Sequence, residues 1–475
     1  MFGMARFGTT LFLFRRDLRL QDNTALREAC ADSRRVIPAF LFTDEEAVAL
    51  AEERAEPRQL ACIARSLLEL DELLRKRGSR LVLGAGAPAA FLVGMRDAGG
   101  AIDAVMMNTS SDPGVSLLER ELEAACAQLR IPLLTYTDTT LSPIERVLTR
   151  EGKPYVVFSP FFERARSFAV AKPHLGSSDV FGRLRVQPHG SKELLDACDH
   201  LAQATQSLFG GRRDGLSKLR DVPSLIAHYG DTKDMPALEG TSLLSTHHAC
   251  GTVSIRETFA RACTTGGRNC ERFMRQLYWR DFFYHVAHFS PFVFSKALFP
   301  WGESLQWAND QTQFDAWCQG MTGIPLVDAG MREMRETGLM HGRTRMLVAS
   351  FLTKNLLIDW RWGARYFERA LLDIDMAINI SSWQWCASVG VDPRPVRILN
   401  PYTQAAKHDP TGEYIQRWVP ELRDVSVHLL CDGKERDFSV HAPRYVPPIV
   451  SVRASFHTAR ERYAEARSPV RRVPR

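Results

Sequence analysis

Three groups of residues in the second half of this sequence have types and spacings suited to chemistry. Gly240-Thr241-Ser242-Leu243-Leu244-Ser245, preceded by Tyr229, offers three hydroxyls and a glycine where a helix can begin. Hydroxyls and free N–H groups at a helix start suit a phosphate or diphosphate, although plain N-capping selects the same residues. Asp373, Asp375 and Asn379 stand just before Trp383 and Trp385. Two acids two residues apart on one loop fit hydrogen bonding to a ring system, or capping, better than the opposed carboxylates of a glycosidase. Arg343 and Arg345 open an apolar helix after His341 and are available to a phosphate or to Asp373. His341 by itself reads as a structural hydrogen-bonder. Trp307, Trp360 and Trp383 read as core, since a Trp in a helical domain usually packs.

The elements that position these groups fall into two unlike halves. All nine Trp lie between Trp279 and Trp418. Before them, Thr10–Phe14, Val36–Phe42, Arg80–Leu83, Ala101–Met107 and Ile131–Tyr136 are short apolar runs at helix-length intervals. Between the second and third, Leu60, Ile63, Leu67, Leu70 and Leu74 form one stripe at helical spacing. Strands alternating with helices predict an α/β, doubly wound parallel sheet, with ligands at the carboxyl ends of its strands. The first strand is followed by RRDLRLQDN, not by a GxGxxG turn, which disfavours a nicotinamide dehydrogenase. From Pro223 onward the pattern is helical. The spacing predicts domains over 1–140 (α/β) and 223–455 (larger, all-α), a linker over 141–222 and a basic tail over 456–475.

With 475 residues, 45% apolar and 24% charged, the composition is that of a soluble globular chain. It has no run long enough to span a membrane and no signal-peptide pattern, which points to the cytoplasm. Ten Cys without a CxxC disfavour a zinc ribbon, a dithiol redox motif or a disulfide scaffold, and no metal site is expected. The net charge is +6, but seven Arg against two Glu from Arg453 onward supply most of it. A nucleic-acid surface must therefore come from local placement of cations.

The motifs LFLFRRDLRLQDNTAL, VVFSPFFERA, EGTSLLS, TGLMHGRTRM, FLTKNLLIDW and DIDMAINISSWQWCASVGVDPRPVRILNPYTQAAKHDP occur in this order. In them the chain closely resembles the photolyase/cryptochrome family over most of its length, most of all the bacterial class I enzymes. The resemblance implies an antenna domain followed by a helical domain that holds FAD. It implies that Tyr229, Thr241, Ser242, Leu244 and Ser245 hold the diphosphate and ribityl chain, and that Arg280, Arg345, Asp373, Asp375 and Asn379 surround the flavin ring. Trp383, Trp360 and Trp307 match the family's electron relay, and Asn379 a position facing the flavin. Lys233, Arg343 and Arg397 match phosphate contacts, Trp279 and Trp385 walls that stack on a flipped pyrimidine dimer, and Met346 a pocket residue.

The implied activity is blue-light repair of UV-damaged DNA, acting on cyclobutane dimers as a monomer in the bacterial cytoplasm and nucleoid. Several features depart from the family pattern. Gln276 stands where the cyclobutane enzymes usually have Glu, and it can only hydrogen-bond. Gly342 stands where they have Asn and the (6-4) enzymes His. Leu339 and Phe273 replace frequent Trp positions, and Pro395-Val396-Arg397 is one residue shorter than usual. A (6-4) photolyase and a cryptochrome-like photoreceptor without repair activity are the alternatives. A second, antenna chromophore of folate, deazaflavin or flavin type is expected. Asp112 matches roughly an acidic position of folate-binding members, or is simply a loop cap. With only Cys386 and Cys431 in the last 150 residues, an iron–sulfur cluster is disfavoured.

Overall fold

The five apolar runs become five parallel strands: β1 (Phe7–Phe14), β2 (Ser33–Phe42), β3 (Val82–Ala85), β4 (Ala104–Thr109) and β5 (Leu133–Thr137), in the order β3-β2-β1-β4-β5. A computed structural model describes residues 5–52, 58–99, 101–176, 180–184, 188–205, 209–391 and 396–468. Side chains alternate between the two faces of the sheet, as strand geometry requires. Phe12, Phe14, Phe40 and Phe42 enter one core and Leu11, Leu13, Ile37 and Leu41 the other. Helices α1 (Thr24–Asp32), α2 (Asp44–Ala51) and α3 (Gln59–Arg75) cover the first face. Helices α4 (Pro88–Asp97) and α5 (Pro113–Leu129) cover the second. The stripe on α3 is buried at Leu60, Leu67, Leu70 and Leu74.

The stretch 141–222 differs from the expected linker. It holds α6 (Phe158–Ala165), α7 (Ser191–Ala204) and the first half of α8 (Arg212–Thr232). Cys198 and Leu201 of α7 enter the same core as α3, and the Ser191 hydroxyl accepts from the Leu83 amide at 2.9 Å, so α7 belongs to the α/β half. Pro223, taken as the start of the helical half, lies inside α8.

The helical half continues with α9 (Ser245–Cys250), α10 (Ile255–Cys263), α11 (Gly267–Phe289), α12 (Gln311–Gln319), α13 (Pro325–Thr337), α14 (Gly342–Ser350), α15 (Trp360–Ala370), α16 (Met376–Cys386), α17 (Pro401–His408), α18 (Glu413–Trp418), α19 (Val427–Cys431) and α20 (Val452–Arg467). The expected tail is thus largely helix. Val452, Ala459 and Tyr463 lie on one face of α20 and are buried, which gives the Arg-rich segment an apolar stripe to dock by. Residues 469–475 lie outside the described residues.

The segment after β1, where a dinucleotide-binding sheet would cradle a phosphate, serves instead as the seam between the halves. Buried Arg19 and Arg256 converge on Asp138, the latter at 2.7 Å, and Arg256 also reaches Asp22 at 3.1 Å. Arg212 grips Glu257 with two bonds of 2.6 and 2.8 Å. Main chain meets main chain where the Leu18 amide donates to the Cys250 carbonyl at 3.2 Å. Gly251 has φ +71°, and a Cβ there would stand 2.0 Å from the Arg16 carbonyl oxygen, so only glycine allows this approach.

Candidate functional site

Helices α11, α14 and α16 bring the ring-binding candidates together. Arg280 and Tyr284 are one turn apart on α11. The Tyr284 hydroxyl donates to Asp375 at 2.6 Å, and the Arg280 guanidinium lies 3.7 Å from the same carboxylate. Burial, and then the Asp375 charge, push the Tyr284 phenol far above its usual range, so it stays protonated and a donor. Asp375 also caps α16 through the Ile378 amide. One turn on, Asn379 is anchored by its Nδ2, which donates to the Ala364 carbonyl at 3.0 Å. Arg345, at the start of α14, pairs with Asp373 at 2.9 and 3.0 Å. Of the two roles open to Arg345, the structure therefore shows the ion pair.

Of the diphosphate candidates, Tyr229 and Leu244 join the same core as Phe273 of α11. Tyr229 on α8 meets Phe273 of α11 edge-on, with centroids 5.2 Å apart. Leu244 is buried in the same core, so its side chain is an anchor and only its backbone is available to a ligand. Leu243 takes the left-handed conformation (φ 52°), which turns the chain into α9 at Ser245. Among the described residues no side chain caps that helix, and Thr241, Ser242 and Ser245 are half-buried or exposed beside its start. Thr246 Oγ1 and Arg280 Nε are buried without a hydrogen-bond partner. An orphaned hydroxyl at an uncapped helix start and an orphaned guanidinium N–H among the ring-binding candidates fit a ligand that carries a diphosphate and a polar ring.

The Trp candidates run from buried to half-exposed. Trp383, one turn beyond Asn379, is 2% exposed and Trp360 1%, whereas Trp307 is half-buried. Trp383 touches Phe367 (5.0 Å) and Trp317 (6.1 Å) edge-on. Trp307 touches Tyr463 of α20 at 6.4 Å.

On the outer side, Trp279 and Trp385 pack against the same core edge with part of each ring left open. Phe158 covers one face of Trp279, parallel within 8° at 3.8 Å. Arg397 lies over the Trp385 ring at 5.1 Å. Gln276 is exposed and Met346 half-buried. Gly342 is exposed, with nothing within 4 Å of where a Cβ would be. Lys233 and Arg343 are not free cations, because both bind Asp234, each at 2.6 Å. Pro395 lies outside the described residues.

Residues 10–176 match the family model described as DNA photolyase, and residues 273–465 match the FAD binding domain of DNA photolyase. The deoxyribodipyrimidine photo-lyase of Streptomyces griseus is 36% identical over 94% of this chain and 98% of its own length. This chain belongs to the DNA photolyase family. Among solved photolyases, an archaeal one from Sulfolobus tokodaii, crystallised with two FAD molecules, is 33% identical with a TM-score of 0.83 over 96% of this chain and all of its own. A bacterial class III photolyase from Agrobacterium tumefaciens is 29% identical with a TM-score of 0.85, covering 98% of this chain and 99% of its own.

The photolyase FAD-binding domain contains every ring-binding candidate named above. Sequence reasoning missed Tyr284 and Thr246. Tyr284 was within reach of it, since a residue four on from Arg280 shares its helix face. Asp112 caps α5 and pairs with Arg16 at 3.0 Å, and Arg16 reaches the Ile374 carbonyl between Asp373 and Asp375. At the carboxyl ends of β1 and β4 the photolyase sheet leaves a cavity of about 30 Å³ among Arg16, Asp17, Arg19, Asn108 and Asp138, room for about one water. Among the described residues no helix is long and apolar enough to cross a membrane, and no group of His, Cys, Asp and Glu could hold a metal.

Proposed function

We propose that this photolyase-family chain is a class I-type enzyme that splits cyclobutane pyrimidine dimers in UV-damaged DNA under blue light. The observation that carries the reading is the arrangement of Trp279 and Trp385. Both are part-open rings, and each stands within a turn or two of the flavin-facing residues Arg280 and Asn379 on the same helices. An extruded dimer stacked there would lie beside the cofactor. When bound and reduced, FAD supplies the light-excited electron that breaks the two bonds joining the pyrimidines and is returned afterwards, so that no net oxidation occurs.

The chain's own residues bind and orient. Extruding a base costs least where pairing is already damaged, and aromatic faces then stack on it. Lys233, Arg343 and Arg397 supply cations for the flanking phosphates. Asn379, fixed through its Nδ2, would have its carbonyl oxygen to offer a bound ring as an acceptor. Arg280, Arg345, Asp373 and Asp375 would frame the ring, while Tyr229 and the Thr241–Ser245 loop would hold the diphosphate side. Trp307, Trp360 and Trp383 run from half-exposed to buried and would pass electrons inward. A second chromophore of flavin type accords with the Sulfolobus tokodaii relative.

The test is to present the FAD-loaded, photoreduced protein with each defined lesion under blue light. Restoration of paired thymines from the cyclobutane dimer supports the reading. Turnover of the (6-4) lesion alone would replace it with the (6-4) alternative. No turnover of either would leave a photoreceptor. Replacing Gln276→Glu is expected to raise cyclobutane-dimer repair, and an unaltered yield would show that this position does not set it.

A further inference from the structure

We propose that Asp234 sets the specificity of the DNA-facing cations by occupying Lys233 and Arg343 together, so that phosphates of intact duplex engage them poorly while those drawn close around an extruded lesion displace it. The inference rests on the function proposed above. Lys233 ends α8 and Arg343 begins α14, two elements far apart in sequence. Asp234 joins them, with Oδ2 2.6 Å from the Lys233 ammonium and Oδ1 2.6 Å from Arg343 Nη2. Each carboxylate oxygen thus serves one cation. The acid is also the more exposed partner in both pairs, at 37% against 24% for each cation. An approaching phosphate therefore meets an accessible carboxylate beside the two cations, a cluster of net charge +1 rather than +2.

Burial acts to raise the Asp234 carboxyl, but the bonds from Lys233 and Arg343 hold it down to about 2, so the acid is ionised at any working pH. Exposed ion pairs add little to stability, and this triplet is a poor explanation of the fold. Its consequence lies in binding. Phosphate contacts supply most of the non-specific affinity for DNA, and each contact made adds to the salt dependence. A negative charge placed among them subtracts from the non-specific term first. The lesion site regains the contacts because the distorted backbone comes nearer, and specificity is the ratio of the two affinities.

The experiment uses the full FAD-loaded chain in the dark and titrates an undamaged duplex, and the same duplex with one cyclobutane dimer, at several salt concentrations. Asp234→Asn is expected to bind the undamaged duplex roughly fivefold tighter, with a salt slope steeper by about one. Its affinity for the damaged duplex should change less than about twofold, so the ratio falls. Asp234→Glu, which keeps the charge, should retain the wild-type ratio, and Asp234→Ser should repeat the Asn result should that variant lose thermal stability. Undamaged-duplex affinity equal to or below wild type in both neutral variants would overturn the proposal, leaving Asp234 as a scaffold. An equal gain on both duplexes would also overturn it. A wild-type protein with no preference for the damaged duplex would sink the functional reading itself, a result separable from any effect of Asp234.

Discussion

Gly363 is the point at which packing around Trp383 can be tested with a single carbon. A Cβ there would stand 2.1 Å from Trp383 Cη2, 2.5 Å from Cζ3 and 2.7 Å from Leu352 Cδ2. Carbon atoms in contact sit about 3.5–4.0 Å apart, so the indole would have to retreat by roughly 1.5 Å. It has nowhere to go, with Phe367 at 5.0 Å and Trp317 at 6.1 Å. Two effects oppose each other in Gly363→Ala. Helix propensity favours Ala by about 1 kcal/mol, and overpacking a rigid core costs about 1–3 kcal/mol. Because the obstacles are a ring and a buried Leu, the upper end applies and the net loss is about 2 kcal/mol. Gly94, inside α4 with nothing within 4 Å of its Cβ position, isolates the propensity term. Gly94→Ala should gain about 0.5–1 kcal/mol. Denaturant unfolding of both variants reads the difference, and light-driven flavin reduction should slow only in Gly363→Ala. A Gly363→Ala protein as stable as wild type would refute the packing argument. Unchanged photoreduction despite lost stability would refute the link between ring position and electron transfer.

The remaining predictions concern the relay, the seam and acid stability. Trp383→Phe should abolish light-driven flavin reduction in vitro while leaving FAD bound, followed by the flavin absorption spectrum under illumination. Asp138→Asn removes the carboxylate shared by Arg19 and Arg256 and should cost about 3–5 kcal/mol in denaturant unfolding. A loss under about 1 kcal/mol, the worth of an exposed pair, would show that the seam is solvated. His285 accepts from the Tyr155 amide through Nε2 at 3.0 Å and donates from Nδ1 to the Ile144 carbonyl, which requires a neutral ring. Burial lowers its pKa from 6.5 to about 4. Below pH 6.5 the unfolded chain takes up a proton that the native site refuses until about pH 4. Stability should therefore fall across that window by on the order of 3 kcal/mol. In His285→Gln the fall should be smaller by that amount.

The fold was legible where apolar residues repeat with one period. Strands β1 and β2 announce themselves as unbroken apolar runs, and α3 by the Leu60, Leu67, Leu70 and Leu74 stripe that it buries. Helix α7 was missed because SKELLDACDHLAQA carries its buried stripe on Cys198, Leu201 and Ala202, a weak contrast with its polar residues. The boundary at Pro223 fell inside α8 because GGRRDGLSK reads as loop and proline is uncommon in a helix interior. Within the site, the types of residue were legible and their pairings were not. Nothing in the sequence says that Arg343 takes Asp234, 109 residues away, while Arg345 takes Asp373. Such choices are made by which helices pack, and a charge pattern read along one chain does not contain them.

The seam also sets a timetable for making the molecule. Asp138 is synthesised 118 residues before Arg256, the cation that completes its pairing. At roughly 5–20 residues per second, the sheet half waits about 6–24 s on the ribosome with Asp22 and Asp138 lacking that partner. The arrival of Gly251 and Arg256 supplies the backbone approach and the cation that the seam needs, while α11 to α20 are still to be made.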